Sequence, residues 1–107
     1  MRGCLVTVAN QGDFGKPRPA LVIQSDLFSE LPSVTVLPLS STLVDAPLVR
    51  VTLQPSTTNR LRAVSQVMVD KATTVLRSRL GPVFGQVDDQ VMVQVDRSLA
   101  VFVGIAK

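Results

Sequence analysis

Residues 15–26 read GKPRPALVIQSD, a loop that runs into an apolar strand. Pro17 and Pro19 restrict the backbone on either side of Arg18, so this arginine is held unusually rigidly for a junction between a loop and a strand. Residues 19–24 are apolar without alternation, which predicts a strand that is covered on both faces. The stretch therefore predicts a sheet with a preorganised guanidinium at the start of one strand.

Further short strands flank this segment on both sides. The Val-rich pattern and its turn signals predict strands at residues 5–9, 34–39, 48–53 and 65–69. Pro38 places one of them at an edge or a bulge, and Arg50 and Thr52 face outward from another. Residues 25–32 predict a short turn of helix or a loop. Five short strands at near-regular spacing suggest a small barrel.

The C-terminal segment, residues 88–103, fits a helix better than a strand because its apolar side chains form one helical stripe. Asp88 supplies an N-cap and Gly104 a stop. The stripe is expected to pack on the barrel and consists of Val91, Val95, Leu99, Phe102 and Val103, with Met92 at its edge.

Length and composition predict one globular domain over residues 1–107. The chain is 46% hydrophobic with a mean hydropathy of +0.34, which is typical of a folded protein. No apolar run approaches the length of a membrane span, and the N-terminus is not a convincing signal peptide. The single Cys4 cannot form an internal disulfide, which suggests a reducing compartment, and is expected to be an inert core thiol.

The chain contains no histidine, which excludes several kinds of active site. A Cys/His zinc site, a Ser-His-Asp triad and a pair of catalytic histidines are all impossible. The net charge is +3, and eight of the eleven cationic side chains are Arg. This excess is compatible with a phosphate-bearing partner but does not establish one.

Several motifs, in order along almost the whole chain, resemble the MazF/PemK family of toxin endoribonucleases. They are RG-x-LV at residues 2–6, GKPRPALVIQSD at 15–26, VLPLSS at 36–41, VMVDK at 67–71 and LG at 80–81. The resemblance implies a small SH3-like barrel with a C-terminal amphipathic helix. It also implies a cytoplasmic homodimer, a MazE/PemI-like antitoxin, and cleavage of single-stranded RNA without metal or cofactor, which inhibits translation and growth.

By the same resemblance, Arg18 matches the family's catalytic arginine. Ser40 stands where many members have Thr or Ser after the third strand, and Asp70 matches the acidic residue that acts as a base in some PemK-type members. Cys4 stands where the family usually has Asp, and Met68 where some members have a second Arg. Each residue also has a structural alternative. Arg18 could pair with a nearby carboxylate, Ser40 could be a turn residue, and Asp70 could pair with Lys71 or a neighbouring Arg.

RNA cleavage without a metal uses the substrate's own 2′-OH as the nucleophile, so the enzyme must orient the ribose, accept a proton and stabilise phosphoryl charge. Arg18 is the natural charge stabiliser, Ser40 a hydrogen-bond donor and Asp70 a base. The candidate RNA-binding residues are Phe14, Lys16, Arg60, Arg62, Arg77 and Arg79. Two other functions stay open: a CcdB-like inhibitor of DNA gyrase, and a catalytically weak protein that only binds RNA.

Overall fold

The computed structural model describes residues 1–9 and 16–107, in which seven strands precede one C-terminal α-helix. Three single-turn 3-10 helices lie between strands, at Asp26–Phe28, Val69–Lys71 and Arg77–Arg79. The other elements are β1 Cys4–Val8, β2 Arg18–Val22, β3 Ser33–Ser40, β4 Arg50–Leu53, β5 Ser65–Met68, β6 Thr73–Leu76, β7 Leu80–Gln86 and α1 Asp89–Phe102. This confirms the predicted architecture of five to seven strands followed by a helix.

The strands form one antiparallel sheet in the order β4-β5-β3-β2-β1-β7, with β6 also paired to β3. Strands β4 and β7 are the two ends of this order, so strand pairing among the described residues does not close the barrel. The ends meet instead through the loop between β4 and β5. The N–H of Gln86 in β7 donates to the carbonyl of Thr58 in that loop, at 3.1 Å.

Both faces of the central strands are buried, as the unbroken apolar run at residues 19–24 predicted. On one face Leu21 packs in a cluster with residues of β1, β3, β4 and β5 and with the helix. On the other face Ala20 and Val22 pack with Val6 and Val36. Because side chains alternate along a strand, both faces of β2 need apolar residues.

The prediction that Pro38 marks an edge or a bulge is wrong about the edge, because β3 has neighbours on both sides. Pro38 pairs with Ala20 of β2. On its other side β3 pairs first with β6, up to Val36, and then with β5, from Leu39 onward. Pro38 lies in the gap between these two partners, where a residue without an N–H is tolerated.

Strands β6 and β7 were not individually predicted from the sequence. Strand β7 contains Gly81 and Pro82, which normally argue against a strand. It tolerates them because it lies at the end of the sheet, and its register with β1 shifts twice, between Leu5 and Val6 and between Val6 and Val8. Such bulges are common at sheet edges.

The predicted helix is confirmed, with its predicted caps. The Asp88 carboxylate accepts a hydrogen bond from the N–H of Val91, and Gly104 follows the helix with φ +84°. Val95 is fully buried and the apolar stripe packs on the sheet around it. Its last two members, Phe102 and Val103, are about half exposed. They are not among the residues that pack in the core, so this part of the prediction is wrong.

Two further expectations concern the N-terminal strand and the membrane. Cys4 is half-buried at the start of β1, so it is not the core thiol that the sequence suggested. The described residues contain no helix with the length and apolar character needed to cross a bilayer.

Candidate active site

The pairing of β2 with β3 brings Arg18 and Ser40 to the same end of the sheet. Arg18 is the first residue of β2 and Ser40 the last of β3. The antiparallel ladder ends with Ala20 paired to Pro38. Continuing its register by two residues directs Arg18 toward Ser40. Residues two apart share a face of a sheet, which places both side chains on one face.

These two residues line one cavity of about 430 Å³, within the size range of sites for small ligands. The other lining residues are Pro19, Pro38, Leu39, Ser41, Thr42, Ser65 and Met68. The cavity thus combines one guanidinium with four hydroxyl groups, and no described lining residue is acidic. This polarity suits an anionic group such as a phosphate.

The Ser40 hydroxyl also has the structural role that the sequence left open. Its Oγ accepts a hydrogen bond from the N–H of Thr42 at 3.0 Å and donates to the Thr42 carbonyl over 3.4 Å. The second distance is long for an O–H···O bond. The proton of Ser40 is therefore weakly engaged and can turn toward a ligand in the cavity while the turn stays intact.

Asp70 is not among the residues that line this cavity. It lies in the 3-10 helix after β5, where its carboxylate forms an ion pair with the guanidinium of Arg50. Arg50 pairs with Met68 across β4 and β5. The two side chains are only 14% and 26% exposed, for Arg50 and Asp70 respectively. Of the alternatives for Asp70, the structure selects a neighbouring arginine.

Sequence reasoning missed Arg50 as a site residue and treated it as an outward-facing strand residue. Its partner is 20 positions away, so no local pattern identifies the pair. A signal was present in the open alternative that Asp70 pairs with an arginine at a strand end. The register of β4 against β5 determines which arginine lies beside Asp70.

The candidate RNA-binding residues fall into separate places. Arg60 and Arg62 line a second cavity of about 1220 Å³, which shares Pro19 with the Arg18 cavity. Arg79 lies beside the end of β1, where its carbonyl accepts a hydrogen bond from the N–H of Ala9. Lys16 is exposed just before β2. These residues lie at the end of the sheet where β2 begins.

Arg77 is at the other end of β3. Its Nε donates to the carbonyl of Leu31 at 3.0 Å, and the adjoining Leu76 pairs with Ser33, the first residue of β3. The eight residues of β3 span about 25 Å, so the structure does not bring Arg77 to the Arg18 cavity. Phe14 lies outside the described residues.

The described part of the chain contains no cluster of three or more His, Cys, Asp or Glu side chains that could hold a metal ion.

The carboxylate of Asp26 has an altered pKa. The N-terminal amine donates to Asp26 at 2.8 Å, and with the backbone N–H of Arg2 it lowers the pKa of Asp26 below its usual value. Asp26 lies beyond the far end of β2 and takes no part in either cavity.

Comparison with known proteins identifies close relatives over nearly the whole chain. Residues 2–103 match the family model for the PemK-like, MazF-like toxin of type II toxin-antitoxin systems. A protein of Mycolicibacterium smegmatis described as a probable endoribonuclease MazF is 46% identical over 106 residues, which cover 98% of this chain and 97% of that protein.

Solved structures share the fold. A mycobacterial endoribonuclease in complex with its cognate antitoxin matches with a TM-score of 0.83 at 21% identity, covering 100% of this chain and 97% of the other. The MazE-MazF complex of Deinococcus radiodurans matches with a TM-score of 0.77 at 25% identity, covering 95% and 92% of the two chains. These matches confirm the fold that the sequence predicted.

Proposed function

The chain belongs to the PemK-like, MazF-like toxin family of type II toxin-antitoxin systems, and from this premise we propose how it cleaves RNA. It is a toxin endoribonuclease, like the M. smegmatis relative. We propose that its substrate is single-stranded RNA, including mRNA, and that cleavage requires neither metal nor cofactor. Loss of mRNA would inhibit translation and growth.

The observation that carries the proposed mechanism is the shared cavity of Arg18 and Ser40. In the proposed reaction the 2′-oxygen of the substrate attacks the adjacent phosphorus, its proton passes to a base, and the 5′-oxygen of the next nucleotide leaves with a proton. The products are a 2′,3′-cyclic phosphate and a 5′-hydroxyl. The Arg18 guanidinium stabilises the charge that develops on the phosphoryl oxygens, since its fork of donors matches two of them.

Ser40 donates a second hydrogen bond to the phosphate from the opposite strand. Its Oγ lies on the same face of the sheet as Arg18, and its weak bond to the Thr42 carbonyl is the one that a phosphate oxygen replaces. The two donors then approach the phosphate from neighbouring strands. This geometry is preorganised, because β2 and β3 are packed on both faces.

We assign the role of general base to Asp70, on condition that its ion pair with Arg50 opens when substrate binds. Asp70 follows Met68, which lines the cavity, by two residues. Comparing Asp70→Asn with the wild type tests the assignment. A loss of kcat of about a hundredfold or more, typical of removing a general base, supports it. An unchanged kcat in the folded variant restricts the chemistry to Arg18 and Ser40.

We further propose that Lys16, Arg79 and Phe14 contact RNA near Arg18, and that the protein acts in the cytoplasm as a homodimer. Apolar side chains exposed at the end of α1 support self-association, and a closed two-fold dimer is the commonest way to cover such a patch. They are Val101, Phe102, Val103 and Ile105. Residues 1–107 are proposed to form a single toxin domain.

The antitoxin is proposed to be a MazE/PemI-like protein with an acidic, partly disordered segment. The solved relatives include complexes of MazE with MazF and of an endoribonuclease with its cognate antitoxin. Negative side chains would be attracted to the cationic end of the sheet and would compete with RNA there.

The decisive experiment incubates the purified chain with single-stranded RNA in EDTA and compares it with Arg18→Ala. Removing a donor of this kind costs about a hundred- to a thousandfold in kcat. Arg97→Ala, which removes an exposed arginine of α1, is the matched control and is expected to cleave normally.

A second arm uses the same RNA with 2′-deoxyribose at the cut site, which removes the nucleophile. Cleavage that survives this substitution, or the loss of Arg18, contradicts the proposed mechanism. If no RNA is cleaved at all, a gyrase-inhibition assay and an RNA-binding assay distinguish the two other functions.

A further inference from the structure

The larger cavity lies between the β4–β5 loop and strand β7, next to the candidate active site. It measures about 1220 Å³. Its polar lining residues are Arg60, Arg62, Gln86 and three threonines, and no described lining residue is acidic. The described lining residues are Thr7, Pro17, Pro19, Thr57, Thr58, Arg60, Leu61, Arg62, Val83, Phe84, Gly85 and Gln86.

Asn59 holds the loop in a defined conformation. This side chain is only 7% exposed. Its Oδ1 accepts hydrogen bonds from the N–H groups of Ser56 and Leu61, at 2.9 and 3.0 Å, and its Nδ2 donates to the carbonyl of Gln54 at 2.8 Å. One carboxamide thus connects three backbone positions, so the loop presents the cavity as a formed surface.

Arg60, the next residue, has φ +56°. This left-handed conformation is unfavourable for a side chain other than Gly or Asn. It persists because the Arg60 N–H donates to the carbonyl of Ser56 at 2.9 Å. The side chain of Asn59 also accepts hydrogen bonds from Ser56 and Leu61, on either side of Arg60. Strain of this kind concentrates at functional sites, and here it places an arginine where glycine would fit more easily.

Strand β7 is shaped to receive this loop. A Cβ at Gly85 would lie 2.3 Å from the carbonyl oxygen of Asn59, so only glycine permits the approach. The hydrogen bond from Gln86 to Thr58 fixes the contact at the next position. The loop therefore sits firmly on β7, and this contact fixes one side of the cavity.

We propose that this cavity binds the nucleotides on one side of the scissile phosphate, with Arg60 and Arg62 on backbone phosphates. Pro19 lines both cavities, so a chain that places one phosphate at Arg18 continues directly into the second cavity. The lining also includes the apolar residues Leu61, Val83 and Phe84, and apolar surface of this kind suits the face of a base. This inference rests on the proposed function, whose RNA it extends beyond the catalytic phosphate.

The test compares the wild type with an Arg60→Asn, Arg62→Gln double variant, and uses Arg97→Gln as the matched control. The probe is a single-stranded RNA that stays intact during the measurement. It carries 2′-deoxyribose at the cut site if the wild type cleaves it, and is left unmodified if the wild type does not. Asn tolerates the left-handed conformation, so the double variant is expected to keep the thermal stability of the wild type. Its dissociation constant is expected to rise at least tenfold.

Salt dependence gives a readout that a merely structural role would not change. Each phosphate contact to a single strand contributes about 0.7 to the slope of log Kd against log salt. The double variant is therefore expected to lose about 1.4 from this slope, and Arg97→Gln none. On the cleavable RNA, KM is expected to rise while kcat changes by less than about threefold.

A double variant with the affinity and salt slope of the control overturns the inference. So does a variant that loses affinity for the antitoxin but not for RNA, because the cavity would then be an antitoxin site. The binding measurement needs no cleavage. Failure of the proposed catalytic function, seen as uncut RNA with the wild type, is thus distinguished from failure of the inference.

Discussion

The ion pair of Arg50 with Asp70 leads to a prediction whose magnitude follows from its burial. Two unit charges about 4 Å apart interact by about 4 kcal/mol at an effective dielectric constant of about 20. Solvent reduces this because the side chains are 14% and 26% exposed. The pair therefore lies between exposed pairs, worth about 0 to 1 kcal/mol, and buried pairs, where losing one partner costs about 3 to 5 kcal/mol.

We expect Asp70→Asn and Arg50→Met each to lower the free energy of unfolding by about 1 to 2 kcal/mol. The double variant should be less destabilised than the sum of the single variants, because the second substitution removes a charge that the first left unpaired. The expected coupling energy is about 1 kcal/mol. Urea denaturation of the four proteins measures it, at one fixed protein concentration because self-association raises apparent stability.

Additive effects, with a coupling energy below about 0.3 kcal/mol, would refute this reasoning. They would mean that Arg50 and Asp70 are stabilised separately, for example by water. The same four proteins also separate structure from chemistry. Arg50→Met keeps the Asp70 carboxylate, so a loss of kcat in Asp70→Asn that is absent from Arg50→Met supports the role of base.

Three other predictions concern the helix and the N-terminus. Asp88→Ala removes the N-cap of α1 and should cost about 1 kcal/mol in urea denaturation, whereas an unchanged midpoint would mean that the cap bond to Val91 contributes nothing. Phe102→Asp should shift the protein from dimer to monomer in sedimentation analysis with its fold intact, and a persistent dimer would place the interface elsewhere. Because the folded state lowers the pKa of Asp26, its contribution is present above the unfolded pKa and is lost as the pH falls through the folded pKa. Asp26→Asn should therefore flatten the decline in Tm on acidification below about pH 4, and an unchanged decline would show that other carboxylates cause it.

Much of the architecture could be predicted because its signals are local. Alternation of apolar residues identified β4 and the unbroken run identified β2, whose faces are both buried. The cap at Asp88 and the stop at Gly104 defined the helix to within one residue at each end. Strand β7 escaped prediction because its Gly and Pro residues oppose a strand locally. It forms nevertheless, since pairing with β1 outweighs that preference.

Arg18 and Ser40 were chosen as candidates by resemblance, and the sheet register explains why they occur together. The antiparallel pairing of β2 with β3 brings them to the same end of the sheet and into one cavity, although they are 22 positions apart in the chain. Asp70 was chosen on the same grounds, but its partner depends on a different register, that of β4 with β5. The six cationic and aromatic candidates were indistinguishable by sequence, since nothing local tells which end of β3 Arg77 lies beside.

The sequence by itself determined the element types, the preorganised Arg18 between two prolines, and the absence of any histidine-based chemistry, because backbone restriction, side-chain alternation and residue inventory are local properties. Only the tertiary structure decided that Asp70 pairs with Arg50, that the β4–β5 loop rests on Gly85, and that Arg60 and Arg62 open onto a cavity beside Pro19. These contacts join distant parts of the chain, and they follow from which strands pair, in which register, once the apolar faces are buried together.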